Sequence, residues 1–331
     1  MPDAAALPPT YLRTRRTSWA DAPAPVQQMV RDCLGEPVRS WKDRVGGMSA
    51  GVAAVVRGET RAVFVKALDG AQNPVGHEMY LREAALADRL PRSPHLPRLV
   101  GTADVATSTG PWAVGVYAAL PGEPVRHPWS RQHLHRVLDA WQRVTPLLHA
   151  TAWETSAEIG GFLDRWRLVL EDPRDPWLAL VRSWAPRLAA TTARVDGDAE
   201  HPAVLSHIDL RADNILVGEP TDADDPGVWF VDWAHPGTAA PWVDPAILLG
   251  DVVASGADLG DGGAVDVVGT WREHPATAGY DPELLLGVVA ALAVALHVGS
   301  RRPPNPVLPH QRGWERAMAD AMRPFLERHA G

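Results

Sequence analysis

The sequence predicts an α+β fold in two lobes: a small, β-rich N-terminal lobe over residues 1–118 and a larger, mainly helical C-terminal lobe over residues 119–331. Three observations lead there. The stretch "VGGMSAGVAAVVRGETRAVFVKAL" (45–68) reads as strand, turn at "RGET", strand. The stretch "WAVGVYAALPGEPV" (112–125) reads as a further strand that ends at the Pro121-Gly122 break, a natural boundary. From Ser130 to Leu188, and again from Pro282 onward, the apolar spacing is helical and rich in Leu, Ala and Trp. A chain of 331 residues has room for one large domain or two lobes.

Taken in order, residues 21–34 read as a short helix. The hairpin follows, with Gly46, Gly47 and Gly51 at its mouth and Lys66 toward its far end. Glycines there would let backbone N–H groups come close to a phosphate, although glycine turns are common and the pattern alone is weak. After Pro74 a helix is expected over His77–Leu90, stopped by Pro91 and carrying Glu78 and Glu83. Beyond the long helical region comes "LSHIDLRADNILV" (205–217), which begins and ends like a buried strand yet holds His207, Asp209, Arg211, Asp213 and Asn214 in its centre. Burying ions without partners costs several kcal/mol each, so such a segment pairs its polar groups or uses them. A turn at "GEPTDADDPG" and the apolar strand before "VDWAHPG" follow. The most apolar run, "LLLGVVAALAVAL" (284–296), is shorter than the ~20 residues of a membrane span and reads as a buried helix. The last helices are interrupted by "RRPPNPVLP".

Composition narrows the classes. One cysteine, Cys33, excludes an internal disulfide, and the N-terminal stretch lacks the apolar core of a signal peptide, so a cytoplasmic protein is expected, with no membrane partner. The net charge of −8 is uneven: to Ala118 there are 14 Arg/Lys against 11 Asp/Glu, and from Ala119 there are 18 against 29. Nonspecific nucleic-acid binding is not expected of such a chain. The acidic second part is compatible with a cationic partner or with a solubility role. Only two of the 32 basic residues are lysines, Lys42 and Lys66. A lysine on an apolar strand, in a chain that otherwise uses arginine, either snorkels to water or serves a site.

In chain order the parts are a glycine-rich hairpin, a strand lysine, a helix glutamate, His-x-Asp-x4-Asn, and an Asp after an apolar strand. Together they are the part list of a kinase-type phosphoryl-transfer site. The γ-phosphoryl group passes through a loose transition state, so positioning and charge neutralisation carry most of the catalysis. In such a site a lysine holds the α/β-phosphates, a glutamate fixes the lysine, and an aspartate takes the acceptor proton. Asn and a second Asp supply the hard oxygens that Mg2+ prefers.

These motifs resemble the aminoglycoside phosphotransferase family, relatives of choline kinases with a protein-kinase-like fold. The resemblance covers residues 40 to 250 well and the ends loosely. It implies that "GGMSAG" is the nucleotide-positioning loop, with Gly47 and Ser49 near the phosphates, and that "VFVK" carries the ATP lysine, Lys66. By the same resemblance Glu83, ahead of Glu78, is its glutamate, Asp209 the base, Asn214 and Asp232 the metal ligands, and Asp244 a later aspartate that braces the loop. Arg211 stands where protein kinases often carry a lysine, which implies a γ-phosphate contact. The implied cofactors are ATP and Mg2+. The implied acceptor is a hydroxyl of a small molecule, an aminoglycoside or another amino-containing metabolite.

Alternatives remain open at this stage: a protein-kinase-like regulator, or an inactive nucleotide-binding protein. The first is disfavoured because only 11 residues separate Asp232 from Asp244, "DWA" stands for "DFG", and no "APE" follows. A hydrolase built from Ser206, His207 and Asp209 is disfavoured because triad members converge from separate elements. His133 and His135 read as surface histidines. Trp129, Trp177, Trp242 and Trp314 lie near cleft-forming segments and are candidates either for core or for stacking on a substrate. Asp251, Asp258, Asp261 and Glu315 are the candidate acids for a cleft that attracts a cationic acceptor, against a plain solvated surface. The sequence does not fix an oligomeric state.

Overall fold

The computed structural model describes residues 16–45, 47–149, 159–220, 227–258 and 265–330. Its N-terminal region is an antiparallel sheet of five strands: β1 (Ser40–Asp43), β2 (Val52–Arg57), β3 (Ala62–Asp69), β4 (Leu99–Thr107) and β5 (Gly110–Ala118), in the order β1-β2-β3-β5-β4. The β2–β3 hairpin and β5 fall where the sequence pattern puts them. β1 and β4 were not anticipated. β1 is a four-residue, mostly exposed edge strand, and β4 alternates half-buried with exposed positions, so neither carries an apolar run.

Two helices flank this sheet. Helix α1 (Ala24–Leu34) starts at a proline turn and ends where Gly35 takes φ +75°, a left-handed cap that glycine adopts without strain. Its Val26, Val30 and Leu34 are fully buried against Val63, Val65, Val114 and Val116. Helix α2 (Pro74–Ala87) is capped by Asn73, whose side chain accepts the Gly76 N–H at 2.8 Å. It begins three residues earlier than expected and stops three earlier, at Ala87. Along β3, Val63, Val65 and Ala67 are buried in the α1 core, and the period of two turns Phe64 and Lys66 to the other face.

The C-terminal region is helical. It contains α3 (Arg131–His149), α4 (Ile159–Leu163), α5 (Trp166–Glu171), α6 (Leu178–Thr192), α7 (Val243–Ala254), α8 (Val267–Glu273), α9 (Pro282–Ser300) and α10 (Gln311–His329). Short strands pair among them: β7 (Val204–Ser206) with β10 (Gly237–Ala239), and β8 (Ile215–Val217) between β6 (Glu123–Pro124) and β9 (Val228–Phe230). Helix α9 packs on α6, α7 and α10 and is the centre of the second hydrophobic cluster, which runs from Leu86 to Leu326. It is long and apolar enough to cross a membrane by length and composition, and most of it is buried inside the fold. His133 and His135 lie on α3, and no cluster of three or more His, Cys, Asp or Glu side chains poised for a metal occurs among the described residues.

Leu285, fully buried on α9, tests the core assignment. Leu285→Ala should lower unfolding free energy by about 2–5 kcal/mol, since the cavity adds to the lost transfer energy. Val75→Ala, at an exposed position of α2, should stay within about 0.5 kcal/mol of wild type. Denaturant midpoints at constant slope give both values.

Candidate functional site

Lys66 is the point where sheet and helical region meet. Its Nζ donates to Glu83 Oε2 at 2.6 Å and to Asp232 Oδ1 at 2.9 Å, partners 17 and 166 residues away. Glu83 is almost fully buried, whereas Glu78 is exposed, so the geometry chooses Glu83. Burial opposes the Lys66 charge, but Asp232 and then Glu83 outweigh it and hold the ammonium well above its ordinary value. Burial likewise opposes ionisation of Asp232, and Lys66 overcomes it, pulling the carboxyl down to about 2. Burial pushes the Glu83 carboxyl up, with Lys66 acting against the shift. The ring of Tyr80, one turn before Glu83 on α2, lies 4.9 Å below Lys66 Nζ.

The polar segment 207–214 lies between β7 and β8 and is held from below by α7. Asp244, in the first turn of α7, accepts the backbone N–H of both His207 and Ile208 at 2.8 Å. Asp251, two turns further along the same helix, accepts the Ala212 N–H at 3.0 Å. It also accepts from Trp129 Nε1 at 2.8 Å and lies 3.1 Å from His127 Nε2. Between these two anchors Ile208 has φ +66°, a left-handed conformation rare for a β-branched residue. Asp232 has φ +62°. Strained backbone of this kind persists where its surroundings over-determine it. His207 is fully buried: its Nε2 meets the Val231 carbonyl at 2.9 Å, which leaves Nδ1 to accept the Asp209 N–H at 3.4 Å.

Asp209, Arg211 and Asn214 converge in this loop. Asn214 Nδ2 donates to the Asp209 carbonyl and to Asp209 Oδ2, both at 2.9 Å. Arg211 Nε lies 2.9 Å from Asp209 Oδ1 and 3.2 Å from Asp213 Oδ1. Burial drives the Asp213 carboxyl up to about 7, and Arg211 opposes the shift. The ring of Trp314, on α10, faces the Arg211 guanidinium at 4.8 Å. The antiparallel pairing of β8 with β9, and the bond from Val231 N–H to the Asn214 carbonyl at 2.9 Å, bring Asp232 to this loop.

The glycine-rich turn reaches the same network. Ser49 Oγ is 2.6 Å from the Tyr80 hydroxyl, and Gly47 has φ +73°. Gly46 lies outside the described residues. Among the residues nominated from sequence, Lys66, Glu83, Asp232 and, through Tyr80, Ser49 form one group; Asp209, Arg211 and Asn214 form the other. The sequence reading missed Tyr80 and His127, and it named Asp251 for a cleft rather than for the support of the loop. The three-residue spacing of Tyr80 and Glu83 on a helix, and the seven-residue spacing of Asp244 and Asp251, were the available signals.

For three of the four acids named as candidates to line a cleft, the expectation is corrected. Asp251 lies within α7, buried beneath the polar loop. Asp258 pairs with Arg328, and Glu315 is buried and paired with Arg312 at 2.9 Å. Asp261 lies outside the described residues. The three described acids are neutralised within the fold. Of the four tryptophans, Trp129, Trp177 and Trp242 are core, and Trp314 alone, half-buried, borders Arg211.

The donors suit a hard cation. Lys66 takes Asp232 Oδ1 and the Asn214 amide nitrogen serves Asp209, so the oxygens that could hold such a cation are Asp232 Oδ2 and Asn214 Oδ1. Mg2+ is commonly held by one or two protein oxygens, completed by phosphate and water.

A family model described as the phosphotransferase enzyme family matches residues 46–281, well over half of the chain. Among solved structures, the chain is similar to a Ralstonia eutropha JMP134 protein described as a candidate aminoglycoside phosphotransferase, at 15% identity and TM-score 0.56, covering 92% of this chain and 97% of that one. A single-site variant of aminoglycoside 2'-phosphotransferase-IIIa, in complex with GDP, matches at 14% identity and TM-score 0.55 over 91% and 95% of the two chains. Spectinomycin phosphotransferase, in complex with ADP and spectinomycin, matches at 14% identity and TM-score 0.51 over 90% and 97%. At these identities the likeness speaks for the fold. No curated protein matches the sequence.

The pair beneath the loop should be visible in the pH dependence of stability. Burial works against the His127 charge, but Asp251 outweighs it and, with Asp213, raises the imidazolium above its ordinary 6.5, while Arg211 opposes. A raised folded value means the stabilisation is complete below 6.5 and is lost as pH climbs through the folded value. Melting temperatures of wild type and His127→Gln should therefore differ most at acidic pH and converge as pH rises above 6.5. A gap that is flat with pH would mean that His127 is neutral in the fold.

Proposed function

Since the chain belongs to the phosphotransferase enzyme family, we propose that it transfers the γ-phosphoryl group of ATP to a hydroxyl of a small molecule. The observation that carries this reading is the double engagement of Lys66 by Glu83 and Asp232. A buried ammonium held by two carboxylates from distant elements is costly to desolvate, and phosphate binding gives it a use. We further propose that the two hydrophobic clusters are the cores of two lobes, 1–118 and 119–331, with the nucleotide between them.

In this reading Lys66 binds the α/β-phosphates and Glu83 fixes its direction. Asn214 and Asp232 hold Mg2+, which when bound neutralises phosphate charge. Asp209 orients the acceptor hydroxyl and takes its proton as transfer completes. Asn214 keeps the Asp209 carboxylate in place through Oδ2. Arg211, against Oδ1, brings a positive charge to where the transferred phosphoryl passes. Between Asp232 and α7 there is only the three-residue strand β10, which favours a small acceptor over a protein that needs a long docking segment. The acceptor class the resemblance suggests is an aminoglycoside or amino-containing metabolite. Its charge preference no longer follows from the acids nominated above, because the described ones are paired internally. A single cysteine suits a cytoplasmic enzyme.

A panel of aminoglycosides, amino sugars and hydroxylated metabolites, with ATP and Mg2+ and product mass as readout, tests the activity. On whichever acceptor is phosphorylated, Asp209→Asn should lower turnover by about 10²–10⁴-fold and leave nucleotide affinity near wild type. Turnover within about threefold of wild type would remove Asp209 from the base role. Lys66→Ala should weaken nucleotide binding, and Glu83→Ala added to it should cost little more, because the glutamate acts through the lysine. Fully additive losses in that double-mutant cycle would dissolve the pair.

A further inference from the structure

The end of α9 and the start of α10 meet in a place crowded with arginine. Gly299, in the last turn of α9, lies so close to α10 that a Cβ there would sit 2.9 Å from the Glu315 carboxyl. Glu315 is buried, and Arg312 Nη1 donates to its two oxygens at 3.1 and 2.9 Å. Arg312 Nε donates to the Pro303 carbonyl at 3.1 Å, which ties α10 to the chain just past Arg302. Helix α5 comes to the same junction. Asp172, where it ends, accepts from Arg301 Nη2 at 3.0 Å. Arg165, where it starts, is seven residues back, about 10 Å along a helix. The Arg165 guanidinium lies 4.6 Å from the Phe162 ring centre. Burial and then the Arg302 charge lower the Arg165 pKa; Glu315 opposes the fall and Arg312 adds to it. Three guanidinium groups thus gather at one carboxylate, which already serves Arg312. Among the described residues neither Arg165 nor Arg302 has a carboxylate partner of its own. The first turn of α10 holds no acid, so Arg312 also faces the positive end of its helix dipole.

We propose that Arg165, Arg302 and Arg312 bind an anionic group, a carboxylate or a phosphate, of the molecule whose hydroxyl is phosphorylated at Asp209. The acceptor part of this inference rests on the phosphotransfer proposed above; the anion site does not. Like charges held together repel, and an anion that neutralises them removes that cost. Guanidinium groups suit carboxylate and phosphate in particular, through short, charge-assisted and often bidentate bonds. The cluster also has a link to the catalytic loop. Trp314 stands in the same turn of α10 as Arg312 and Glu315, and its ring faces Arg211 at 4.8 Å. Arg211 Nε in turn lies 2.9 Å from Asp209 Oδ1. An acceptor lying along Trp314 can therefore reach the arginines with one end and Asp209 with the other. Two of the three arginines, Arg302 and Arg312, lie beyond the matched region 46–281.

The test compares the full chain with the double variant Arg165→Gln/Arg302→Gln, titrated with acetate and with inorganic phosphate while Mg-ADP is present in excess. Wild type should bind at least one of the two anions, and the tighter one names the acidic group. The double variant should bind it at least about tenfold more weakly, the loss expected for charged hydrogen bonds, with Mg-ADP affinity unchanged. Without added anion the variant should melt at or above the wild-type temperature, because the change relieves repulsion. The anion should raise the melting temperature of wild type and not of the variant. On the acceptor that is phosphorylated, the variant should raise KM and leave kcat near wild type. Wild type binding neither anion, or the folded variant binding as tightly as wild type, would overturn the proposal. A best acceptor without a carboxylate or phosphate would also overturn it, and the phosphotransferase reading would stand. Anion binding that the variant loses, with no phosphotransfer to any acceptor, would remove the phosphotransferase reading and keep the anion site.

Discussion

Two carboxylates on one buried helix set the geometry of the candidate site. Helix α7 is apolar except for Asp244 and Asp251, and both spend their oxygens on the backbone of the 207–214 loop. A carboxylate buried in a helical core is tolerated only if its lone pairs are satisfied. Asp244 is satisfied by the main-chain N–H groups of His207 and Ile208, which lie outside strand and helix, and Asp251 by the Ala212 N–H together with Trp129 Nε1 and His127. The two needs answer each other. The loop can therefore hold Ile208 at φ +66°, and the side chains of Asp209, Arg211 and Asn214 are carried by a backbone pinned at both ends.

Lys66 couples this rigid floor to the sheet. Its two carboxylate partners belong to different parts of the chain, one on α2 and one just after β9. Removing either partner would leave charge in a largely desolvated place, and breaking such a pair is far costlier than never having built it. The three groups thus behave as one electrostatic unit. Tyr80 extends it to Ser49 and the glycine-rich turn, so the turn, the sheet, α2 and the loop share one chain of polar contacts.

The charge imbalance of the chain illustrates how little composition says about a cleft. The C-terminal part carries many more acids than bases, yet the three described acids among those that stood out in the sequence are spent internally: Asp251 on the loop, Glu315 on Arg312, Asp258 on Arg328. Net charge is a sum over the whole surface and interior, whereas the field at a cleft depends on which few groups face it. Trp314 shows the converse. It is one of 14 tryptophans and indistinguishable from the others by local pattern, yet its ring lies against Arg211.

The sequence by itself determined the fold class, the β2–β3 hairpin, helix α2 with its two glutamates and the His-x-Asp-x4-Asn loop with its neighbours in chain order, while burial decides for Glu83 over Glu78. Each is written in local spacing: a period of two on the strands, helical spacing on α2, and polar groups crowded between apolar ends where only pairing or use could justify them. It did not reveal β1 and β4, whose edge or half-buried positions lack an apolar run. Nor did it reveal that Asp251 lies under the loop, that Tyr80 bridges Ser49 to Lys66, or that Arg16 reaches Gly47 across 31 residues of chain. Those contacts join groups whose partners are distant in sequence, and a side chain's partner is chosen by which backbone surface packs against it. That choice belongs to the tertiary structure alone, because only there do the unpaired N–H groups of the loop and the buried carboxylates of α7 come within reach of one another.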